Sequence, residues 1–140
     1  MGKILCATRG GEASQRTQDL AIALAKERSD DLLFLYVVNT SFLDQLAAPF
    51  VVDIESRLER MGSFQLAIAT ERAAEQGVAA QSVVRRGRLQ TELAEVAREM
   101  EVSVIVLGRP RNQTAVFDEA GLDAFARDLG AATGCEVQVV

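Results

Sequence analysis

Histidine is absent from this 140-residue chain. Imidazole is the commonest general base and metal ligand of proteins, so its absence argues against zinc enzymes and against histidine-activated nucleophiles. The chain has two cysteines, Cys6 and Cys135, which lie far apart, each inside an apolar run and without the neighbouring Cys or His of a metal box. We interpret both as buried reduced thiols, because free cysteine behaves as a small hydrophobic residue.

Long apolar runs and an excess of basic charge are also missing. No run approaches the roughly 20 residues that span a bilayer, and the first three residues lead into a strand-like segment rather than a signal peptide. There are 15 Lys and Arg against 20 Asp and Glu, a formal net charge of −5. A general nucleic-acid binder is usually basic, because neutralised phosphates supply much of its affinity. We therefore expect a cytoplasmic protein that binds neither nucleic acid nor membrane.

What is present is the composition of an ordinary globular domain, with 49% hydrophobic and 25% charged residues. A chain of this length buries a core large enough to fold without metals or disulfides. No internal repeat, low-complexity tract or linker divides it. We therefore expect a single domain over residues 1–140.

Five short apolar runs rich in branched residues alternate with longer segments of helical period, which predicts an α/β fold with parallel strands and crossover helices. The runs are residues 3–8, 31–38, 80–86, 103–108 and 136–140. The second and fourth are almost continuously apolar, as expected of strands covered on both faces. The third carries more polar residues, which favours an edge position.

Apolar residues at helical spacing predict four helices between these strands. In chain order they are Leu20, Ala21, Leu24 and Ala25; Ile54, Leu58, Met61 and Ile68; Leu93, Val96, Ala97 and Met100; and Leu122, Phe125, Ala126 and Leu129. The first helix should begin just after residues 10–12, the second should cover residues 52–76 and end at Gly77, the third should begin near Gln90 or Thr91, and the fourth should run from an Asp118 N-cap to Gly134.

Two glycine-containing turns follow strands one and four, at residues 8–14 and 108–112. Ligands of such sheets bind at the carboxyl ends of the strands, where the strand order reverses. Glycine permits close backbone approach, and the following helix N-terminus favours an anion. The turns are consistent with a phosphate or anion site, but local sequence favours tight turns that have only a structural role. Neither matches a P-loop or the dinucleotide GxGxxG pattern.

Five arginines fall at this predicted edge, and we call them the arginine rim: Arg9, Arg86, Arg88, Arg109 and Arg111. They favour either a site that concentrates phosphates or acidic groups, or a solvated loop edge balanced by Glu12, Asp118 and Glu119. Both interpretations stay open on local sequence.

Catalytic machinery is not indicated. Without histidine, a serine or threonine nucleophile would need a lysine or a carboxylate for activation, and the lysines are Lys3 and Lys26. The helical carboxylates are explained by pairing and solvation. We do not expect an enzyme.

Residues 3–14, KILCATRGGEAS, resemble the opening of universal stress proteins, an apolar strand followed by Asp-Gly-Ser-Glu-x-Ser. The chain also resembles that family in its fourth strand ending at Gly108 and in its end, GCEVQVV, in place of Cys-Pro-Val-x-Val-Val. The resemblance implies a flavodoxin-like, Rossmann-like three-layer fold with a five-stranded parallel sheet in the order 3-2-1-4-5. It also implies a role in stress adaptation and a homodimer through the last strand, where Glu136 replaces the family proline and frees an N–H for pairing.

Family members that bind ATP carry the motif G-2x-G-9x-G-(S/T) after strand four, whose backbone amides hold the phosphates and ribose. Gly108 and Gly121 match the first and third glycines. Arg111 stands at the second glycine, and Leu122 stands at the Ser or Thr and cannot donate a hydroxyl hydrogen bond. The family Asp after strand one is replaced by Arg9. The resemblance therefore implies that the usual mode of ATP binding is altered.

Two functions follow, and both stay open. The first is a non-catalytic domain without a cofactor that acts through dimerisation and a protein partner. The second is a sensor that binds ATP, AMP or another phosphate-bearing anion. Its site would comprise Thr8, Arg9, Val37, Gly108, Arg109, Arg111 and Gly121. Val37 is included because it matches the family position whose backbone meets the adenine.

Overall fold

The computed structural model describes residues 2–8, 12–38, 48–108 and 119–140. Its elements, in chain order, are β1 (Lys3–Ala7), α1 (Glu12–Arg28), β2 (Asp31–Val38), α2 (Ala48–Glu75), β3 (Ala80–Arg86), α3 (Leu89–Glu99), β4 (Val104–Leu107), α4 (Glu119–Thr133) and β5 (Glu136–Val139). Every predicted strand and helix is present in the predicted order.

The strands form one parallel sheet in the order β3-β2-β1-β4-β5. This confirms the predicted α/β fold and strand order. The apolar strands β2 and β4 each have a strand on both sides, whereas the more polar β3 is an edge strand, as predicted. Continuous apolar sequence therefore indicated interior position correctly.

Alternate residues of each strand point to opposite faces of the sheet, and each face has its own core. The first-face core joins the sheet to α1 and α2 and includes Ile4, Cys6, Phe34, Ala21, Ala25 and Leu66. The second-face core joins it to α3 and α4 and includes Leu5, Leu33, Ile105, Leu93, Val96 and Leu129. The result is the expected three-layer arrangement.

The predicted start of α2 was wrong by four residues. The helix begins at Ala48 rather than at residue 52, and it includes Pro49. Proline is tolerated in a first helical turn because its missing N–H would have no helical partner there.

The predicted apolar face of α2 was also wrong. Met61 and Ile68 are 56% and 39% exposed, and the helix packs on the sheet through Gly62, Leu66, Ala69 and Ala73. Gly62 is needed for the close approach of helix to sheet, since a Cβ there would come within 2.6 Å of Cδ1 of Tyr36 in β2. Small residues, not the largest ones, therefore form the buried face of this helix.

Glycines end α2 and α4 as predicted. Gly77 has φ of 78°, and the following N–H of Val78 donates to the carbonyl of Ala73 at 2.9 Å, which closes the helix. Gly134 has φ of 72° after α4. Helix α3 begins at Leu89, so Gln90 and Thr91 lie near its start, as predicted; the preceding Arg88 makes no side-chain cap hydrogen bond. The predicted Asp118 cap lies outside the described residues.

The two cysteines are free thiols, but they are not equally buried. Cys6 is fully buried in β1, as predicted, and burial raises its pKa to about 12. Cys135 is half-buried, which corrects the prediction of a buried residue. It immediately precedes the edge strand β5, and its Sγ donates to the carbonyl of Val102 at 2.9 Å.

Candidate functional site

The strand register brings Thr8, Gly108 and Val37 to the same carboxyl edge of the sheet. Cys6 pairs with Val106, so Thr8 and Gly108, each two residues further along, lie level at the ends of neighbouring strands. Val37 lies two residues beyond Leu35, the partner of Ala7, because β2 extends past the end of β1. The strand order reverses between β1 and β4, where this class of sheet binds ligands.

Thr8 is buried and hydrogen-bonded at this edge. Its N–H donates to the carbonyl of Leu35 at 2.9 Å, and its Oγ1 accepts from Nε2 of Gln18 at 2.8 Å. Oε1 of Gln18 in turn accepts from the guanidinium of Arg72 in α2 at 2.5 Å. Arg72 also pairs with Asp19. A polar chain therefore runs from the end of β1 through α1 to α2.

Gly108 lies against α1. A Cβ at this position would overlap Oγ1 of Thr17, a residue that is 2% exposed. Glycine at the end of β4 therefore has a packing role in this protein. The close approach holds the second turn of α1 against the point where the strand order reverses.

Val37 is half-buried and packs against the second-face core, on the side of α3 and α4. It pairs with Arg85 of β3 in the parallel ladder. Its side chain therefore belongs to the opposite face from Tyr36, which packs with the first-face core.

Of the seven predicted site residues, the structure brings together Thr8, Val37 and Gly108. Gly121 is in the first turn of α4. Arg9, Arg109 and Arg111 lie outside the described residues, but Arg9 and Arg109 directly follow Thr8 and Gly108 in the chain. The assignment of these seven residues to a binding site stays a prediction.

Two members of the arginine rim, Arg86 and Arg88, are among the residues that the structure describes. Nε of Arg86 lies 2.6 Å from Oε1 of Glu59 in α2, and this hydrogen bond lowers the pKa of Glu59. The neighbouring Arg85 pairs with Glu99 of α3. Arg88 is exposed at the N-terminus of α3. Glu59 was not among the acidic residues expected to balance the rim.

Sequence reasoning missed Thr17, Gln18 and Arg72. A signal for the first two was present, because they lie one helical turn before the buried Ala21 and Ile22 and so occupy the core-facing side of α1. Two adjacent polar residues on a buried face require partners. For Arg72, 54 residues away from Gln18, no local pattern was available.

Metal-binding and membrane-spanning features are not found in the described part of the chain. It contains no group of three His, Cys, Asp or Glu residues arranged to hold a metal ion. None of its helices is long and apolar enough to cross a membrane. An open groove of about 440 Å³ runs between α1 and α2, lined by Asp19, Ile22, Ala23, Lys26, Arg72, Glu75 and Gln76. Of the predicted site residues, Thr8, Val37 and Gly108 do not line this groove.

Comparison with known proteins finds a matching family model, a relative by sequence and solved structures of similar fold. A sequence model of the universal stress protein family matches residues 1–117. The universal stress protein YxiE of Bacillus subtilis is 34% identical over 114 residues, which cover 76% of this chain and 77% of that protein. The structure is similar to universal stress protein UspA from Lactobacillus plantarum, with a TM-score of 0.82, 17% identity and coverage of 99% of this chain and 97% of that chain.

A second solved structure shares the fold with a nucleotide present. It is a universal stress protein family protein from Arabidopsis thaliana with AMP bound. Its TM-score is 0.68 at 12% identity, covering all of this chain (100%) and 91% of that one.

Proposed function

Because the chain belongs to the universal stress protein family, we propose that it is a non-catalytic regulatory domain of the stress response that does not hold ATP in the usual way. It acts through self-association and contacts with a protein partner. It requires no cofactor for this role.

The observation that carries this proposal is that the described part of the candidate site is engaged by the protein's own contacts. The hydroxyl of Thr8 accepts a hydrogen bond from Gln18, and the space beside Gly108 is filled by Thr17. The retained glycine at position 108 therefore has an explanation in helix packing. It does not by itself argue for a nucleotide.

The motif positions after β4 support the same conclusion. Arg111 replaces the glycine whose amide would approach the phosphates, and Leu122 replaces the hydroxyl residue. A side chain at position 111 takes up space where backbone and phosphate would meet. Loss of ATP binding requires no new complementary contacts between protein and ligand, whereas conversion of the site to bind another anion would require them.

Mass spectrometry and calorimetry test the proposal. The protein is purified without added ligand and denatured, and released small molecules are identified; the folded protein is then titrated with ATP, AMP and inorganic phosphate. We expect no retained nucleotide and no binding heat. The matched variant Arg111→Gly with Leu122→Ser restores the family motif and should bind ATP more tightly than the natural sequence. A retained nucleotide or micromolar ATP binding by the natural sequence contradicts the proposal.

A second candidate function is a sensor of AMP or another phosphate-bearing anion. It is supported by the AMP-bound structure of the same fold and by the arginines that follow Thr8 and Gly108. Under this function, Arg9→Ala with Arg111→Ala abolishes anion binding. The control Arg16→Ala with Arg127→Ala removes the same charge from exposed helix positions and leaves binding intact. Equal affinity in both double variants would rule out the sensor.

Self-association through β5 follows from the family resemblance. β5 is an edge strand, but the N–H of Glu136 donates to the carbonyl of Ser103 at 3.1 Å, so it is not available to a second chain as the sequence suggested. Val140 likewise donates to Leu107. Successive N–H groups of a strand alternate in direction, so the N–H groups of Val137 and Val139 face the open edge.

Light scattering tests this edge. Val139→Lys should give monomers if β5 is the interface. Because Val139 packs against the second-face core, circular dichroism must show that the variant is folded. Gln138→Lys, which adds the same charge outside that core, is the second variant. A folded variant of unchanged mass places the interface elsewhere.

A further inference from the structure

Helix α2 carries a stripe of exposed hydrophobic residues. Met61, Phe64 and Ile68 are 56%, 65% and 39% exposed, and they are the large hydrophobic residues exposed in the described part of the chain. Their spacing of three and four residues puts them on one side of the helix. We call Met61, Phe64 and Ile68 the exposed stripe. Contiguous apolar surface of this kind is typical of a protein interface.

The exposed stripe lies on the side of α2 that faces away from the sheet. Ala73 is nine residues after Phe64, which is two and a half helical turns, and it is fully buried. Leu66 and Ala69 are buried on the same sheet-facing side. Within the described residues, the stripe is therefore not part of either core.

Opposite charges stand at the two ends of the stripe. Arg57 lies seven residues before Phe64 and Glu71 lies seven residues after it, and both are exposed. Seven residues make about two turns, so all three side chains are on the same side of the helix. Arg60 and Glu75, also exposed, add a second charge of the same sign at each end. No ion pair joins any of these four residues to another described residue.

We propose that the exposed stripe is an interface for a second copy of this chain, with the two α2 helices antiparallel about a twofold axis at Phe64. Phe64 then packs on the partner's Phe64. Arg57 faces the partner's Glu71, and Glu71 faces the partner's Arg57. The spacing of three and four residues suits helices that cross at a shallow angle of about 20°.

The charge pattern selects this partner and this direction. A parallel pair would place Arg57 beside the partner's Arg57, which is repulsive, whereas reversal of one helix about Phe64 brings Arg57 and Glu71 each beside its opposite on the partner. A membrane surface or a nucleic acid favours a uniformly basic face and is repelled by Glu71.

This interface is separate from the β5 edge. Helix α2 packs on β2 and β3, at the opposite side of the sheet from β5. The two surfaces therefore do not compete, and a variant at one leaves the other intact. Failure of the β5 proposal would not affect the interface at α2.

The first experiment measures mass by sedimentation equilibrium over a range of protein concentrations. Phe64→Glu should lower the mass of the assembly, to a monomer if α2 is the sole interface and to a dimer if β5 also pairs. Ser63→Glu adds the same charge one residue away from the stripe, at an exposed position, and should leave the mass unchanged. A natural sequence that stays monomeric, or a Phe64→Glu variant of unchanged mass, overturns the proposal.

The second experiment tests the antiparallel direction by charge reversal. One variant carries Arg57→Glu and Arg60→Glu, and the other carries Glu71→Arg and Glu75→Arg. Each alone presents one sign of charge along the whole stripe and should not associate through α2. An equimolar mixture should associate as the natural protein does, and high salt should weaken that association. A mixture that does not associate contradicts the antiparallel arrangement.

Discussion

Gly108 lies so close to the hydroxyl of Thr17 that no Cβ fits between β4 and α1. The contact joins the end of an interior strand to the second turn of α1, at a residue that is 91 positions earlier in the chain. It therefore fixes the position of α1 beside the edge where Thr8 and Val37 also lie.

Gly108→Ala tests this contact. The added methyl group must displace Thr17, and overpacking of this kind costs about 1–3 kcal/mol of unfolding free energy. The measurement is chemical denaturation of the single variants Gly108→Ala and Thr17→Ala and of the double variant. We expect the alanine at 108 to cost less when Thr17 is also alanine. An equal cost in both backgrounds would show that the two residues are not coupled.

Gln18→Leu tests the polar chain from Thr8 to Arg72. The variant loses the hydrogen bonds to both partners at a buried position, which should destabilise the protein by about 1–3 kcal/mol. Gln15→Leu is the matched control, because Gln15 lies on the exposed side of the same helix. We expect it to change stability by less than about 0.5 kcal/mol in the same denaturation experiment. Equal effects from the two substitutions would contradict a role for the buried chain.

Arg86→Gln should raise the pKa of Glu59 toward its ordinary value, because the hydrogen bond from Arg86 holds it down. A carboxyl whose pKa is lower in the folded protein than in the unfolded chain contributes stability above the unfolded pKa. That contribution is lost as the pH falls through the folded value. NMR titration of the Glu59 carboxyl carbon in both proteins provides the measurement. An unchanged titration midpoint in the variant would be inconsistent with the contact between Arg86 and Glu59.

Cys6 should not react with thiol reagents in the folded protein. Its burial raises the pKa to about 12, and the thiolate is the reactive species. Alkylation followed by peptide mass spectrometry should modify the half-buried Cys135 first and Cys6 only on unfolding. Because the raised pKa favours the neutral thiol, Cys6 contributes stability to the folded protein below the unfolded thiol pKa of about 8.5. That contribution is lost as the pH rises toward the folded pKa of about 12. Rapid native modification of Cys6 would contradict its burial.

Much of the fold could be predicted because its signals are local. The apolar runs of β2 and β4 identified interior strands, and the polar content of β3 identified an edge. Glycines at 77 and 134 marked helix ends because a left-handed backbone is required there. The apolar spacing in α2 correctly indicated a helix but did not identify its buried face, because Met61 and Ile68 follow a helical spacing without facing the core.

The candidate site could be predicted only in part. The glycine and threonine that end β4 and β1 were recognised by their place after strands, and the register brings them level. Thr17, Gln18 and Arg72 were missed, because their roles arise from contacts with residues distant in the chain. A sequence motif reports which residue types follow a strand, but it does not report which helix fills the space beside them.

The amino-acid sequence by itself determined the element order and the strands that are covered on both faces, since hydrophobic periodicity and turn residues act over a few positions. The family was identified from the resemblance of residues 3–14 and of the chain's end. The tertiary structure alone decided that Thr17 closes on Gly108 and that α2 meets the sheet through Gly62, Leu66, Ala69 and Ala73. It thereby left Met61, Phe64 and Ile68 exposed. The reason is steric: a helix packs closest to a sheet through its smallest side chains, and that choice depends on neighbours such as Tyr36, which are brought near only by folding.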